Sequence, residues 1–264
     1  MVRDRLRALA RRLRVDPRVT RVLGHRHQRS RTLVELDITW ACNLRCFQCN
    51  RSCEQAPTGE QMTLGQVRRF VDESLQAGQR WQRIRILGGE PTLHPELDAI
   101  LAELLRYREA VPEVRLELVS HGYGERTRAV LARLPAGIDV ENTGKEGPEQ
   151  PFEAFNAAPM DDPRWAGADF GSGCVIPSVC GVGLGPYGWY PCAVAAGIDR
   201  VVGLDVGRAS IPGPADTMED QLRLLCRWCG HFQRDRRPVR SESWERAYAG
   251  WRERRPRLTR YGDS

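Results

Sequence analysis

The chain has 264 residues, 41% of them hydrophobic, and this size allows one large or two small folded units with a buried core. Its longest apolar runs fall far below the roughly 18 residues that cross a bilayer, and arginines occupy the segment where a secretory signal carries its apolar stretch. These features predict a cytoplasmic protein. The net charge of +6 favours an anionic partner, but Lys145 is the only lysine, and an arginine excess also follows from GC-rich codon usage.

Residues 1–31 form a basic extension in which Leu6, Leu9 and Leu13 recur at helical spacing. The pattern predicts an N-terminal helix that packs its leucines onto the rest of the protein and exposes its arginines. Binding of nucleic acid or of an acidic carrier is the alternative. Single-strand binding usually interleaves aromatic residues with the basic ones, and this segment contains none.

Residues 32–167 alternate between strand and helix patterns. Strands are predicted at 33–40, 84–87, 114–119 and 138–142. Helices are predicted at about 64–77, where Thr63 and Gln66 form a capping box, after His94, and at 125–134. Repeated β/α units place parallel strands together with helices outside, so the pattern predicts an α/β fold with its site at the carboxyl ends of the strands.

The alternation ends after Lys145, and the remaining chain has a different composition. Residues 168–235 are rich in cysteine and glycine, with a hairpin turn predicted at 186–188, and are interpreted as a small second module. Residues 236–264 are predicted to form a closing helix and a tail. Trp244, Tyr248 and Trp251 share one face of that helix, and this stripe indicates packing.

Nine cysteines, an odd number, are clustered towards both ends of a chain without an export signal, which favours metal ligation over disulfides. Cys42, Cys46 and Cys49 form a CxxxCxxC pattern directly after the first predicted strand. Three thiolates on one loop can hold three irons of a 4Fe–4S cluster and leave the fourth iron open to an external ligand. The alternative is a zinc site in which Cys53 supplies the fourth ligand.

A second motif, Gly88-Gly89-Glu90-Pro91, ends the next predicted strand. Together the two motifs resemble those of the radical SAM enzymes, and the resemblance implies a partial (β/α)6 TIM-like barrel whose open iron chelates S-adenosylmethionine (SAM). It also implies that Glu90 and nearby backbone bind the SAM amino group, where glycines allow close approach. The residues expected to bind SAM are Gly88, Gly89, Glu90, Pro91, Phe47, Gln48, Ser120 and Asn142. The family usually has an aromatic residue just before the third cysteine, whereas this chain has Gln48 there and Phe47 one position earlier.

The later cysteines resemble the twitch module, a shortened SPASM auxiliary-cluster domain, in the arrangement found in 2-deoxy-scyllo-inosamine dehydrogenase. The ligands implied for an auxiliary 4Fe–4S cluster are Cys174, Cys192, Cys226 and Cys229. Cys174 is chosen over Cys180 because the family spacing to the hairpin glycine, Gly188, favours the longer gap. A structural zinc ribbon is the alternative. Cys53 and Cys180 then lie outside both sets.

The resemblance implies a radical reaction. An electron donor such as flavodoxin or ferredoxin reduces the first cluster, SAM is cleaved to a 5'-deoxyadenosyl radical, and the auxiliary cluster accepts an electron while a small polar or peptidic natural-product substrate is oxidised. Cys180 is the candidate hydrogen donor, and Glu141, His121 and Lys145 are candidate proton acceptors. The alternatives are an epimerase that uses Cys180 or Cys53 as hydrogen donor, a peptide maturase that forms crosslinks, and a zinc-bound nucleic-acid module.

Overall fold

The computed structural model describes residues 2–25, 28–150, 155–232 and 240–262. The strands are β1 (Leu33–Thr39), β2 (Arg83–Gly88), β3 (Arg115–Ser120), β4 (Asp139–Asn142), β5 (Val182–Gly185) and β6 (Gly188–Tyr190). The helices of the described residues are α1 (Val2–Arg14), α2 (Pro17–Leu23), α3 (Leu64–Gln76), α4 (Leu97–Ala110), α5 (Glu125–Leu131), α6 (Ile176–Val179), α7 (Ala193–Val202), α8 (Glu219–Leu225) and α9 (Glu242–Glu253). None of these helices combines the length and apolar character needed to span a membrane.

The six strands form one sheet in the order β4-β3-β2-β1-β5-β6. The first five run parallel, and β6 returns antiparallel to β5 through the turn predicted at 186–188. This architecture confirms the predicted α/β class and the partial TIM-like barrel. The predicted boundary at 167/168 remains a prediction, and the sheet continues across it because β5 pairs with β1.

The two faces of β1 have opposite character. Val34, Leu36 and Ile38 are fully buried in the main core, together with side chains of α3 and α4. Glu35 and Asp37 alternate with them and therefore point to the opposite, concave face of the sheet. The apolar face anchors the helices, and the charged face is left for the interior of the barrel.

A second core forms where α7 and α9 meet. Trp244 and Tyr248 are almost fully buried, Trp251 is largely buried, and all three belong to the cluster that contains Tyr190 and much of α7. The sequence prediction that this aromatic stripe serves packing is therefore confirmed.

The packing predicted for the N-terminal helix was wrong. Leu6, Leu9 and Leu13 are 60%, 55% and 53% exposed. The contacts of α1 with the rest of the chain come from elsewhere on the helix, since the Arg11 guanidinium lies 5.4 Å from the ring centre of Phe232. Helical periodicity identified the leucine stripe but could not show which face of the helix meets the protein.

The N-terminus of α3 has the predicted reciprocal cap. The Thr63 hydroxyl accepts a hydrogen bond from the Gln66 N–H at 3.1 Å, and the Gln66 side chain accepts one from the Thr63 N–H at 3.0 Å. We expect Thr63→Ala to lower the free energy of unfolding by about 1 kcal/mol, because an N–H of the first turn loses its partner. Gln76→Ala, at the exposed end of the same helix, should change it by less than about 0.5 kcal/mol. Urea unfolding of both variants measures the difference, and equal losses would contradict the prediction.

Candidate functional site

The carboxyl ends of β1, β2 and β3 border a cavity of about 290 Å³, here called the main cavity. It brings together the two motifs that follow β1 and β2. Its lining includes the cysteines of the first motif and the glycines of the second: Cys42, Cys46, Cys49, Gly88 and Gly89. Ser120 and His121, which end and follow β3, also line it.

The loop that carries the three cysteines is fastened by side chains that sequence reasoning missed. Gln55 donates to the carbonyl of Cys46 at 2.7 Å. Arg200 of α7, only 3% exposed, donates to the carbonyls of Arg51 and Ser52 at 2.7 and 2.8 Å. Because Arg200 belongs to the second predicted module, that module fixes the shape of the first cysteine loop. No motif marks Arg200 in the sequence.

The glycine pair lets two strand ends approach each other. A Cβ on Gly88 would lie 2.2 Å from the carbonyl oxygen of Thr39, and one on Gly89 would lie 2.2 Å from that of Ala41. Gly88 also has a φ of 147°, which side chains disfavour. The Gly89 N–H donates to the Thr39 carbonyl at 2.8 Å. The two glycines therefore seat the second motif directly against the start of the cysteine loop.

The thiols of this loop differ in acidity. Burial raises the pKa of Cys42 to about 12 and that of Cys46 to about 11. A hydrogen bond from the Cys53 thiol, assisted by backbone N–H groups, lowers the pKa of Cys49 below its ordinary value. Iron is held by thiolates, so cluster assembly must release the protons of Cys42 and Cys46.

Glu90 is fully buried and does not line the main cavity. Its carboxylate accepts hydrogen bonds from the Thr92 hydroxyl at 2.8 Å, the Ser120 hydroxyl at 2.9 Å and the His121 N–H at 3.1 Å. Glu90 thus ties the end of β2 to the end of β3, and its contact with the SAM amino group stays a prediction. Pro91 follows it as the first residue of a 3-10 turn, Pro91–Leu93.

His121 lines the main cavity with both ring nitrogens engaged. Its Nδ1 accepts from the Tyr123 N–H at 3.0 Å, so Nε2 carries the proton and lies 2.9 Å from Asn43 Oδ1. Burial lowers the pKa of His121, and the neighbouring Glu90 opposes that effect. The neutral ring therefore links the loop after β3 to Asn43 of the cysteine loop.

The remaining predicted residues divide between the cavity and the surface. Lys145 lines the main cavity. Phe47 is 48% exposed beneath the Arg240 guanidinium, and Gln48 is buried with its side-chain oxygen accepting from the Asn156 N–H at 3.0 Å. Neither is part of the cavity lining. Two further predicted residues lie on β4, an exposed strand at the sheet edge: the SAM ligand Asn142 and the proton acceptor Glu141. Neither of them lines the main cavity.

The four cysteines of the second set line a separate, mostly apolar cavity, here called the auxiliary cavity. Its lining contains Cys174, Cys192, Cys226 and Cys229, together with side chains such as Phe170 and Phe232. Burial raises the pKa of Cys192 to about 12 and holds those of Cys226 and Cys229 well above their ordinary value, and nearby thiols of the set add to the effect. Four soft donors facing one apolar space fit a fully ligated 4Fe–4S cluster.

Cys53 and Cys180 both line the main cavity, although sequence reasoning assigned neither to a cluster. Cys53 is buried beside Cys49, whereas burial beside the carboxylate of Glu35 raises the pKa of Cys180 to about 11. None of the nine cysteines, all of which the structure describes, forms a disulfide. Across the described residues, no three or more His, Cys, Asp and Glu side chains are grouped as ligands of a single metal ion.

The floor of the main cavity is charged. Arg85 of β2 contacts Glu35 of β1 at 2.7 Å, Glu117 of β3 at 2.9 Å and Glu141 of β4. Arg51 of the cysteine loop lies 3.6 Å from Glu35 and so extends the array towards the three cysteines. Sequence reasoning missed this array, but the alternation of charged and apolar residues along β1 was a usable signal.

Asp37 lies at the inner end of the same array. It is fully buried, and burial raises its pKa to about 7, while the Arg51 guanidinium, 3.4 Å away, opposes the rise. Neither of its carboxylate oxygens accepts a well-formed hydrogen bond from the described residues. The Arg51 guanidinium is therefore a shared counter-charge for two buried carboxyl groups, those of Glu35 and Asp37.

We expect Arg85→Met to lower the free energy of unfolding by about 3 kcal/mol, because the two buried carboxylates of Glu35 and Glu117 each lose a counter-charge. Thermal and urea unfolding measure the loss.

The matched control is Arg80→Met, which removes an exposed arginine that contacts Glu113 at 2.6 Å. An exposed ion pair contributes less than about 1 kcal/mol, so this variant should remain close to the parent protein. An equally small loss for Arg85→Met would mean that the charged floor is not needed for folding.

Parts of this chain resemble known proteins. Residues 37–149 match the model of the Radical SAM superfamily. A GTP 3',8-cyclase from Chlorobaculum tepidum is 34% identical over 122 residues, which are 46% of this chain and 34% of that protein. A probable GTP 3',8-cyclase from Methanococcus maripaludis is 35% identical over an alignment of 135 positions, which covers 45% of this chain and 44% of that protein. The chain therefore spans less than half the length of these relatives.

Two solved structures also resemble the chain. BtrN in complex with AdoMet and 2-DOIA is 12% identical, with a TM-score of 0.44, and the match covers 80% of this chain and 99% of BtrN. Streptococcus suis SuiB bound to S-adenosylmethionine is 18% identical, with a TM-score of 0.30, and covers 46% of this chain and 25% of SuiB.

The matched segment contains both motifs at the main cavity. The cofactors of the matched superfamily are a 4Fe–4S cluster and SAM. Cys42, Cys46 and Cys49 offer one thiol fewer than a cluster has irons, and they border an open space, so the residues fit a cluster that keeps one iron for SAM. The match to the radical SAM superfamily therefore covers residues 37–149, the segment that carries both motifs of the main cavity.

Proposed function

We propose that this chain is a radical SAM oxidoreductase that acts on a small polar substrate and uses an auxiliary 4Fe–4S cluster as electron acceptor. One observation carries the proposal: the main and auxiliary cavities share three lining residues, Ile176, Val194 and His231. Only a single layer of side chains therefore separates the space beside the first cysteine set from the second set. A cluster on the far side of such a thin wall is well placed to take an electron from a bound substrate.

When bound, the reduced first cluster and SAM supply a radical that removes a hydrogen atom from the substrate. The chain supplies positioning. Gln55 and Arg200 hold the cysteine loop, and Glu90 holds Ser120 and His121 at the opposite wall. Leu44 and Leu87 add apolar surface to the same cavity, which limits water near the reacting centre.

The charged floor supports a polar substrate. Glu35, Arg51 and Arg85 line the main cavity and present hydrogen-bonding groups to its interior. Both arginines already contact carboxylates, so they are poorly suited to bind a triphosphate. Hydroxyl or amine groups, which can both donate and accept, match this surface better. Of the predicted proton acceptors, His121 and Lys145 line the cavity, and His121 would have to release the Tyr123 N–H from its Nδ1 before it could take a proton.

The direct test begins with anaerobic reconstitution. Iron and sulfide analysis should give two 4Fe–4S clusters per chain, and dithionite should drive the cleavage of SAM to 5'-deoxyadenosine. Small amino-polyols and hydroxylated amines are then offered as substrates, and mass spectrometry should find a product that has lost two hydrogens. Zinc in place of iron, or an absence of SAM cleavage, would contradict the proposal.

The cyclase relatives suggest a nucleotide substrate, so GTP belongs in the same assay. A cyclised GTP product would replace the oxidoreductase proposal with a cyclase. The matches to these relatives cover less than half of the relatives' length, so they leave the substrate of this chain open to the assay.

Epimerisation is the second candidate, because Cys180 lines the main cavity. A thiol at that wall could return a hydrogen atom to a substrate radical and so invert a carbon centre, and the thiyl radical left behind would take one electron from the external reductant, by way of the auxiliary cluster, and one proton from water. Reactions in deuterated water separate the two outcomes. Solvent deuterium at the product carbon, lost in Cys180→Ala, supports epimerisation, whereas a product two hydrogens lighter supports oxidation.

A further inference from the structure

His231 occupies a distinctive place between the two cavities. Its ring lines the auxiliary cavity beside the four cysteines and also lines the main cavity. The other two residues of the shared wall, Ile176 and Val194, are aliphatic. Within the described wall, His231 is therefore the side chain that can form a hydrogen bond.

The ring of His231 contacts a cysteine of the second set directly. Its Nδ1 lies 3.1 Å from the Sγ of Cys229, within hydrogen-bonding distance for sulfur. The backbone N–H of His231 also forms a hydrogen bond to that sulfur. When Nδ1 carries the ring proton, both the imidazole and the backbone N–H of His231 donate hydrogen bonds to the sulfur of Cys229.

The surroundings fix the ring in this position. The ring stacks on Phe155 with centroids 4.1 Å apart and planes 17° from parallel. The Gly230 N–H donates to the Phe155 carbonyl at 2.9 Å, and the Phe232 N–H donates to the Cys229 carbonyl at 3.1 Å. The segment is thereby held on both sides of His231, so its contact with the sulfur is built into the fold.

We propose that the His231 imidazole donates a hydrogen bond from Nδ1 to the Cys229 thiolate and thereby raises the reduction potential of the auxiliary cluster, an inference that rests on the proposed function. A hydrogen bond to a ligating sulfur withdraws negative charge, which favours the reduced form of an iron–sulfur cluster. His231 is in this sense a positioning residue. It makes the cluster a better electron acceptor at the wall that faces the substrate.

The test uses the full chain with Cys42, Cys46 and Cys49 replaced by alanine, so that the auxiliary cluster is the one observed. His231→Phe keeps a flat ring against Phe155 and removes the side-chain donor. His231→Asn places an amide N–H near the position of Nδ1 and should restore the bond. All three proteins keep the backbone donor, and iron content and thermal melting verify that each is folded and loaded.

The readout is the midpoint potential from an EPR-monitored redox titration. We expect His231→Phe to lower the reduction equilibrium constant about tenfold, which is about 59 mV for one electron, and His231→Asn to restore most of it. An unchanged potential in His231→Phe, or equal shifts in both variants, would overturn this inference alone. A parent triple variant without a cluster would overturn the proposed auxiliary cluster as well, so the two failures are distinguishable.

Discussion

Replacing Cys46 by alanine is expected to abolish SAM cleavage. Cys46 is buried, lines the main cavity and lies on the loop whose three thiols leave one iron open. With only two thiols of the CxxxCxxC motif left, too few ligands remain to hold the first cluster, and electron transfer to SAM is lost. Anaerobically reconstituted Cys46→Ala should form 5'-deoxyadenosine only at background level under dithionite. Its iron content should fall by about half, because the auxiliary cluster remains.

Cys53→Ala is the matched control, because Cys53 is a buried thiol on the same loop and lines the same cavity. It should keep full iron content and SAM cleavage. If Cys53→Ala loses as much iron as Cys46→Ala, Cys53 is a fourth ligand, and the open-iron interpretation of the loop fails.

Much of the sheet could be predicted because its signals are local. The apolar alternation of β1 and the capping box at Thr63 depend on neighbouring residues, and the structure contains both. The partner of β5 could not be predicted in this way. Its pairing with β1 joins residues about 150 positions apart, such as Val34 and Val182, and no short pattern encodes that pairing.

The site residues show the same difference between local signals, which could be predicted, and long-range contacts, which could not. Motif spacing in the sequence was enough to identify the three cysteines and the glycine pair. Each motif begins at or just after the end of a strand, since Cys42 lies three residues after β1 and Gly88 is the last residue of β2. Arg200 and His231 were missed, since their roles come from tertiary contacts with Ser52 and Cys229. Phe47 was placed by analogy with the family motif, yet its ring is about half exposed and stands against Arg240. Contacts between distant segments decide these positions.

Replacing Cys174 by alanine is expected to remove the auxiliary cluster while leaving SAM cleavage intact. Cys174 lines the auxiliary cavity with the other three cysteines of the set, and the main cavity does not include it. Iron content should fall by about half, and 5'-deoxyadenosine formation under dithionite should persist. The variant should also melt at a lower temperature than the reconstituted parent, because cluster binding contributes directly to the folding free energy of the segment that carries it.

Cys180→Ala provides the contrast, because Cys180 lies six positions further along and has a similar, partial exposure. It lines the main cavity, so its removal should leave the iron content and the melting temperature close to those of the parent. The pair of variants therefore distinguishes the two candidate first ligands of the second cysteine set. If Cys180→Ala loses half the iron and Cys174→Ala does not, the ligand is Cys180, and the auxiliary cluster would border the charged floor of the main cavity.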